Sequence, residues 1–459
     1  MSDFRNIRLG VAPTRRDIYP SPEDAIENKK VIMGALNNIF EGIPGLEVFN
    51  IDDVIEDGLL VEERDVAKIE KYFKSKEIDA LFVPHANFGQ EESVAKLAYL
   101  LNVPVLVWGP RDGSPKEGEP FRQYDTHCGL FATTRALLRY GVRYTYVENC
   151  WLDSPVIENA IKDFINVASV VKAFKNMRIL QLSNRPRQFL SVKVNEGELL
   201  ERFKIEVTPV ESSEILGVID DILENRKDDI KELIRQWDSL VDFIPANEET
   251  KIKLAAVELG ILGLAEKYGC NAVATECWSM FATKYKISPC FAYADLTEKG
   301  LPVCCENDIN GAISSTIAKA VTRGETPPFF ADITVRHPYN DNAELLWHCG
   351  PYPPSLAKEK TPKIKNAQCS FELKPGDITL LRFDGDRGEY VLFACEGKGV
   401  GGPVSTGNYV WFEIKNWRGW EKKLMTGPYI HHIVGIYGKY KDILLEATKY
   451  LAVKFDTVD

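Results

Sequence analysis

Two acidic residues and a histidine follow or interrupt apolar stretches in the second half of the sequence, where they could do chemistry. Glu306 directly follows one apolar run, Asp332 lies inside another, and His348 follows a third. A charge buried in such a run without a partner is costly, so buried charges are normally paired or bound to a metal ion. For each acid taken alone, an ion pair with an arginine such as Arg336 is an equally good explanation.

The histidines bring a second type of metal ligand to this region. Four of the six lie beyond residue 330, namely His337, His348, His431 and His432. Two carboxylates together with two imidazoles suit a divalent ion of intermediate hardness with open coordination positions, such as Mn²⁺. A structural zinc ion would favour the cysteines instead, but the ten cysteines show no paired Cys-x-x-Cys spacing. We expect them to be reduced thiols.

The elements that must position these residues alternate between strands and helices. In the first third of the chain, short apolar runs such as Ile7–Ala12, Ala80–Pro84 and Pro104–Trp108 are separated by helical patterns. This period indicates βαβ units and a parallel sheet covered by helices on both faces. The alternation continues through the middle of the chain. Glu306 is therefore expected at the carboxyl edge of a buried parallel strand, where open α/β folds bind ligands.

The pattern changes after about residue 353. Short strands such as Glu389–Glu396 are separated by turns that contain glycine, which predicts a small antiparallel β-barrel. The glycine-rich stretch Gly397–Gly407 lacks the ending of a phosphate-binding loop and is interpreted as a loop between strands. The predicted fold class is α/β, with two Rossmann-like parallel-sheet domains (1–175 and 176–353) followed by an antiparallel β-barrel domain (354–459).

Composition excludes several classes of function. The net charge of −11 argues against nucleic acid as the main ligand, because phosphate binding needs a basic face. The N-terminal residues show no signal pattern, and no apolar run reaches the roughly 18 residues of a membrane span. We therefore expect a cytoplasmic protein without a nucleic-acid or membrane partner.

Four separated motifs resemble, in their order along the chain, those of the L-fucose/L-arabinose isomerase family. The segment 304–311, Cys-Cys-Glu-Asn-Asp-Ile-Asn-Gly, resembles the family's Glu-Asn-Asp loop that enters a helix. Phe330–Ile333 is similar to its second acidic strand, and Trp347–Gly350 to the histidine motif of the arabinose branch. Gly427–His432 resembles the C-terminal His-His pair of that branch. The resemblance in architecture spans almost the full length of the chain.

This resemblance implies an aldose–ketose isomerase that works through an enediol and one divalent ion, Mn²⁺ or another such as Co²⁺ or Mg²⁺. It implies Glu306, Asp332, His348 and His432 as the metal ligands. Glu306 and Asp332 would also be the catalytic acid–base pair, since two carboxylates beside a cation can hold different pKa values. The family builds its site at a subunit boundary, which implies a homo-oligomer whose first domain covers the sugar of a neighbour.

Candidate residues for binding the sugar come from several parts of the chain, although some of them are equally plausible as surface residues. An anionic sugar terminus, as in sulfoquinovose, could be held by arginines in fork geometry, and a neutral deoxysugar or pentose is the other option. The arginines suited to that task are Arg15 and Arg16 with Arg185 and Arg187. The candidate substrate-binding residues are Arg15, Arg16, His127, Glu276, Trp278 and His431.

The segment Thr275–Trp278 departs from the family, which places glutamine or another polar contact there. The metal motifs are retained while the sugar pocket differs, so the substrate is not carried over from the family. Two other functions stay open. One is a metal-dependent hydrolase or lyase on a sugar-like substrate, in which the same acids activate water. The other is a non-catalytic sugar-binding protein on the same architecture.

Overall fold

A computed structural model describes residues 5–17, 22–114, 122 and 124–458. The chain divides into two compact units, Asp3–Lys172 and Ala173–Asp459. Within the described residues, no helix is both long enough and apolar enough to cross a lipid bilayer.

The first unit is a parallel sheet with helices against both faces. Its elements are β1 (Ile7–Val11), α1 (Pro22–Glu41), β2 (Leu46–Asn50), α2 (Glu63–Ser75), β3 (Ala80–Pro84), α3 (Glu91–Leu101), β4 (Val105–Trp108), α4 (Thr126–Arg139), β5 (Thr145–Tyr146) and α5 (Pro155–Lys175), at whose end the unit boundary lies. The strand order is β2-β1-β3-β4-β5, and every pairing is parallel. Successive strand residues point to opposite faces. Phe82 therefore packs in one core with α1 and α5, while Leu81 and Val83 pack in the other with α2, α3 and α4.

The second unit begins with another parallel sheet. Its elements are β6 (Arg178–Leu182), α6 (Glu196–Glu198), β7 (Glu206–Val210), α7 (Ser212–Asn225), α8 (Lys227–Asp238), β8 (Asp242–Ile244), α9 (Glu248–Tyr268), β9 (Ala272–Thr275), α10 (Met280–Lys284), α11 (Cys290–Glu298), β10 (Val303–Cys304) and α12 (Ile309–Val321). Four of these strands pair in parallel in the order β10-β9-β6-β7. β9 and β10 are buried along their whole length, as expected for apolar strands of a parallel sheet covered on both faces.

A mostly antiparallel sheet of eight strands follows within the same unit. The elements are β11 (Phe329–Arg336), β12 (Ala343–His348), β13 (Lys363–Lys365), β14 (Gln368–Cys369), β15 (Phe371–Glu372), β16 (Gly376–Asp386), β17 (Glu389–Val400), β18 (Asn408–Glu413), α13 (Trp417–Thr426), β19 (His432–Tyr437), α14 (Lys441–Leu451) and β20 (Lys454–Asp456). The strand order is β15-β18-β12-β11-β19-β16-β17-β20, and β17 also pairs with β18. β13 and β14 form a small separate sheet with β8.

The predicted α/β class with parallel sheets is confirmed, and antiparallel strands follow them as expected. β11 and β12, which carry Asp332 and His348, belong to the antiparallel sheet, whereas the sequence pattern grouped them with the preceding region. The prediction of a loop from Gly397 is wrong at its start, because β17 continues to Val400. A Cβ atom at Gly397 would lie 2.4 Å from the carbonyl oxygen of Glu413. Glycine therefore permits the close approach of β17 and β18.

Candidate active site

The turn between β10 and α12 carries two carboxylates. Glu306 and Asn307 both have left-handed backbone conformations, with φ of 62° and 55°. Such conformations cost non-glycine residues about 1–3 kcal/mol and persist where the surrounding structure enforces them. Asp308 is the N-cap of α12, and its carboxylate accepts the N–H of Gly311 at 2.9 Å. The turn therefore fixes the directions of the Glu306 and Asp308 side chains.

Two strands of the antiparallel sheet bring a third carboxylate and an imidazole to the same place. Asp332 on β11 lies directly opposite His432 on β19, and such cross-strand partners share one face of the sheet. His432 Nε2 lies 3.5 Å from Asp332 Oδ1 and 3.1 Å from Glu306 Oε2. One imidazole edge therefore faces carboxylates from two different elements.

Four buried atoms in this region form no hydrogen bond of good geometry among the described residues, although His432 Nε2 is in close ion contact with Glu306 Oε2. They are Glu306 Oε2, Asp332 Oδ1, His348 Nε2 and His432 Nε2. Buried polar atoms in folded proteins are normally satisfied. These atoms come from the four residues that the sequence resemblance implied as metal ligands, and carboxylate oxygen with imidazole nitrogen suits a divalent ion such as Mn²⁺. The donor set therefore fits a metal ion, and we refer to these four residues as the four-residue cluster.

His431 forms, with Asp332 and His432, a group of possible metal ligands that does not include Glu306 or His348. Asp332, His431 and His432 each bring one potential ligand atom within 4.8 Å of the others. The sequence analysis assigned His431 to the sugar, and its exposed side chain leaves it able to contact a ligand at the mouth of the site.

A buried charge network supports His432 from the other side of its ring. His432 Nδ1 lies 2.8 Å from Asp308 Oδ2. Arg382 donates from Nη2 to Asp308 Oδ1 at 3.1 Å and from Nε to Asp384 Oδ2 at 2.9 Å. The arginine is 1% exposed and Asp308 is 0% exposed. Asp308 thus orients the His432 ring so that Nε2 faces the other residues of the four-residue cluster. A carboxylate behind the ring in this way is typical of metal-binding histidines.

Sequence reasoning gave no role to Asp308 or Arg382. Asp308 was visible only as part of the Glu-Asn-Asp motif. Arg382 interrupts the apolar run 380–383, and a charge at such a position is the signal that would have indicated a buried ion pair.

Two aromatic rings pack beside the four-residue cluster. Phe189 stacks on His432, with 5.8 Å between ring centroids, and meets Trp278 edge to face at 5.0 Å. Trp278 Nε1 donates to Glu306 Oε1 at 3.2 Å. The carboxylate of Glu276 accepts a hydrogen bond from the backbone N–H of Trp278 at 2.7 Å. Glu276 therefore positions the tryptophan ring beside the four-residue cluster.

Arg336 does not pair with the buried acids. Its guanidinium lies 3.2 Å from Asp341 and 3.9 Å from the centre of the Trp417 ring. Within the described residues, the ion contacts of Asp332 are made with His432 rather than with an arginine. The alternative explanation of Asp332 as an arginine partner is therefore excluded.

Two models of one protein family match the chain. The model described as "Fucose/sulfoquinovose isomerase, N-terminal domain" matches residues 10–175, and that described as "L-fucose isomerase, C-terminal domain" matches residues 357–459. Together they match more than half of the chain. The chain belongs to the L-fucose isomerase-like family. It is an enzyme of the aldose–ketose isomerase class.

Curated relatives of this isomerase share a single description. Sulfoquinovose isomerases from Priestia aryabhattai and Priestia megaterium are each 25% identical to it, over 82% of this chain and 85% of their own length. The sulfoquinovose isomerase of Alkalicoccus urumqiensis is 25% identical over 71% of this chain and 73% of its own length. A solved solute-binding protein of Actinobacillus succinogenes with bound D-allose is 10% identical over 70% of this chain and 94% of its own length, with a TM-score of 0.18.

The charges of the site depend on one another. Burial alone would raise the pKa of Asp308, but Arg382 and then His432 hold it well below its usual value. Burial alone would lower the pKa of His432, yet Asp308 and Glu306 raise that pKa to about 9. Burial would also raise the pKa of Glu306, but His432 and His348 keep it below its usual value. A protonated His432 therefore supplies positive charge next to the surrounding carboxylates.

We expect the metal-free isomerase to lose stability as His432 deprotonates. Because its pKa is raised from 6.5 to about 9 in the fold, the imidazolium stabilises fully below about pH 6.5. This contribution, about 3 kcal/mol at most, is lost as the pH rises through about 9. Urea unfolding of chelator-treated protein across this range measures it. His432→Gln should flatten the pH dependence there, and an unchanged dependence in the variant would contradict the assignment.

The remaining sequence candidates lie in the first unit. The Arg16 guanidinium lies 3.6 Å from the centre of the Phe88 ring. Arg15 pairs with Asp17, and its Nε is buried without a hydrogen-bond partner among the described residues. His127 is exposed on the first turn of α4.

Proposed function

We propose that this isomerase interconverts an aldose and its ketose with one divalent metal ion, preferably Mn²⁺ and otherwise Co²⁺ or Mg²⁺, held by the four-residue cluster. The observation that carries the proposal is the set of four buried ligand atoms from Glu306, Asp332, His348 and His432, none of which forms a hydrogen bond of good geometry among the described residues. When bound, such an ion polarises the carbonyl of the sugar and stabilises the charge that develops during enolisation.

Glu306 is the proposed base that moves the proton between C1 and C2 of the sugar. Trp278 holds its Oε1, which leaves Oε2 facing the four-residue cluster. Its lowered pKa keeps this carboxylate ionised near neutral pH, as a base must be. Asp332, whose side chain is 20% exposed, is the proposed group that transfers the hydroxyl proton as the enediol forms. Positioned acid–base groups of this kind contribute about 10²–10⁴-fold each.

We propose sulfoquinovose, an aldose with an anionic sulfonate, as the substrate. The curated relatives carry the name sulfoquinovose isomerase, and a cavity of about 370 Å³ in the second unit is lined by three cationic side chains and one acidic side chain, Glu196. Its lining includes Arg185, Arg187 and Lys193 together with Asn307, which follows Glu306 in the chain. Guanidinium groups bind the oxygens of such anions in fork geometry. This supports an anionic sugar over a neutral one.

Two further features of the family complete the proposal. Arg15, Arg16 and His127 would contact the sugar bound by a neighbouring copy, with Trp278 and His431 completing the pocket, and the protein would be a homo-oligomer. Sedimentation equilibrium showing a monomer under assay conditions would contradict this. All ten cysteines are free thiols, which supports a cytoplasmic location because disulfides persist in oxidising compartments.

The test is to incubate chelator-treated protein with sulfoquinovose, L-fucose and L-arabinose in D₂O, with and without Mn²⁺, and to follow the products by NMR. We expect ketose formation only with Mn²⁺, fastest with sulfoquinovose, and deuterium at C1 or C2 because the carbon proton exchanges through the base. Conversion without label would leave the isomerase standing and indicate a hydride shift or a carbon proton that does not exchange with solvent. A hydrolysis or elimination product would favour the hydrolase or lyase, and binding without turnover would favour a sugar-binding protein.

A further inference from the structure

Two free thiols face each other next to the four-residue cluster. Cys290 Sγ lies 3.5 Å from Cys349 Sγ. Cys290 is the first residue of α11, and Cys349 directly follows His348 at the end of β12. A disulfide has its sulfur atoms about 2.05 Å apart. A movement of about 1.5 Å would therefore join these two sulfurs.

Backbone hydrogen bonds hold the two cysteines close to each other. The N–H of Phe291 donates to the carbonyl of Ala367 at 3.1 Å, and the N–H of Cys369 donates to the carbonyl of Gly350 at 3.2 Å. The residues that follow Cys290 and Cys349 are thus hydrogen-bonded to one short segment, 367–369. This segment fixes the separation of the two cysteine backbones, so their approach does not depend on side-chain rotation alone.

The surroundings of Cys290 favour its reactive thiolate form. Ser288 Oγ lies 3.0 Å from the sulfur, and Gln368 Nε2 donates to it at 3.8 Å. The N-terminus of α11 adds a partial positive charge. The neighbouring thiol of Cys349 lowers the pKa of Cys290 despite burial. Cys349 is partly exposed, which gives a small oxidant a route to the pair.

We propose that Cys290 and Cys349 form a peroxide-sensitive dithiol that closes to a disulfide. The Cys290 thiolate attacks one oxygen of hydrogen peroxide, the O–O bond breaks, and hydroxide leaves, giving a sulfenic acid on Cys290. The Cys349 thiol then attacks that sulfur. The S–S bond forms, the S–O bond breaks, and the departing hydroxide takes the thiol proton as water. The two thiols lose two electrons in total, and the peroxide is reduced to two waters.

The disulfide would act on the site through His348. The Cys349 backbone nitrogen lies 2.9 Å from His348 Nδ1, and its sulfur lies 3.3 Å from the same atom. Drawing that sulfur toward Cys290 moves a group that supports the Nδ1 side of the ring, while Nε2 belongs to the four-residue cluster. We expect the oxidised protein to bind Mn²⁺ at least about tenfold more weakly, with recovery in dithiothreitol. This consequence rests on the proposed function, whereas disulfide formation does not.

The experiment treats the reduced, metal-free full-length protein with hydrogen peroxide, blocks residual thiols and maps the peptides by mass spectrometry. A cross-linked peptide pair containing Cys290 and Cys349 is expected, and titration calorimetry with Mn²⁺ on the same samples measures the affinity. Cys290→Ser should form no such pair and should keep its Mn²⁺ affinity after peroxide. Cys128→Ser removes an exposed thiol of the first unit and should behave as the unmodified sequence does.

Several outcomes overturn the proposal. Recovery of Cys290 as sulfinic acid overturns it, and so does a mapped disulfide that joins Cys277 and Cys305, which are also hydrogen-bonded neighbours. If Cys290→Ser does not fold, Cys349→Ala tests the loss of the cross-link in the same way. A mapped Cys290–Cys349 disulfide with unchanged Mn²⁺ affinity overturns the link to His348. Reduced protein that binds no Mn²⁺ refutes the proposed function, and the peptide map still decides the thiol chemistry.

Discussion

Glu306→Gln is expected to slow ketose formation from sulfoquinovose by about 10²–10⁴-fold at saturating Mn²⁺, because the amide cannot accept the carbon proton. Glutamine keeps the length of the side chain and can still accept the hydrogen bond from Trp278 Nε1, now 3.2 Å from Glu306 Oε1. The packing of Trp278 and Phe189 beside residue 306 should therefore persist. Measuring kcat by NMR and the Mn²⁺ affinity by calorimetry separates the loss of the base from the loss of an anionic ligand.

Glu258→Gln is the matched control for this substitution. Glu258 is another buried glutamate of the second unit, 2% exposed, and its Oε1 accepts a hydrogen bond from Lys299 Nζ at 2.7 Å. Burial, with the nearby Asp295, raises its pKa well above the usual value, so an amide is a close substitute for it. We expect an unchanged turnover rate. Equal losses in both variants would contradict a catalytic role for Glu306 and indicate a general effect of removing buried carboxylates.

The ligands of the proposed site could be selected from the sequence because their signals are local. Glu306 and Asp332 are charges in apolar surroundings, and a charge there needs a partner whatever the fold. The order of the four motifs then implied His348 and His432. The backbone strain at Glu306 could not be anticipated, since left-handed φ values at non-glycine residues are set by the surrounding structure rather than by local preference.

The network behind His432 could not be predicted from sequence because its members are far apart in the chain. Asp308 and Arg382 are separated by 74 positions, and their contact depends on α12 packing against β16. Phe189 reaches His432 from the loop after β6 for the same reason. The strands β11 and β12 continue the apolar pattern of the preceding region, so hydrophobic patterning alone does not reveal that they pair with antiparallel neighbours.

Asp308→Asn is expected to lower both the stability of the protein and its affinity for Mn²⁺. Breaking one side of a buried ion pair costs about 3–5 kcal/mol, since Arg382 keeps its charge with less compensation. Loss of a group that orients a metal-binding histidine typically costs about 10–100-fold in affinity. Asparagine is a good N-cap, so α12 should keep its first turn and the helix itself should not be the cause. Urea unfolding and Mn²⁺ calorimetry measure the two effects separately.

Asp384→Asn distinguishes orientation of His432 from loosening of the whole network. The carboxylate of Asp384 accepts hydrogen bonds from Arg382 Nε and from the side-chain amide of Asn310, each at 2.9 Å. The ring of His432 contacts Asp308 through Nδ1, not Asp384. Removing its charge should also destabilise the fold, yet the Mn²⁺ affinity should stay within about threefold. If both variants lost affinity to the same extent, the buried arginine and its partners would act only by stabilising the fold. If only Asp308→Asn loses Mn²⁺ affinity, the Asp308 carboxylate orients the His432 ring for Mn²⁺ binding.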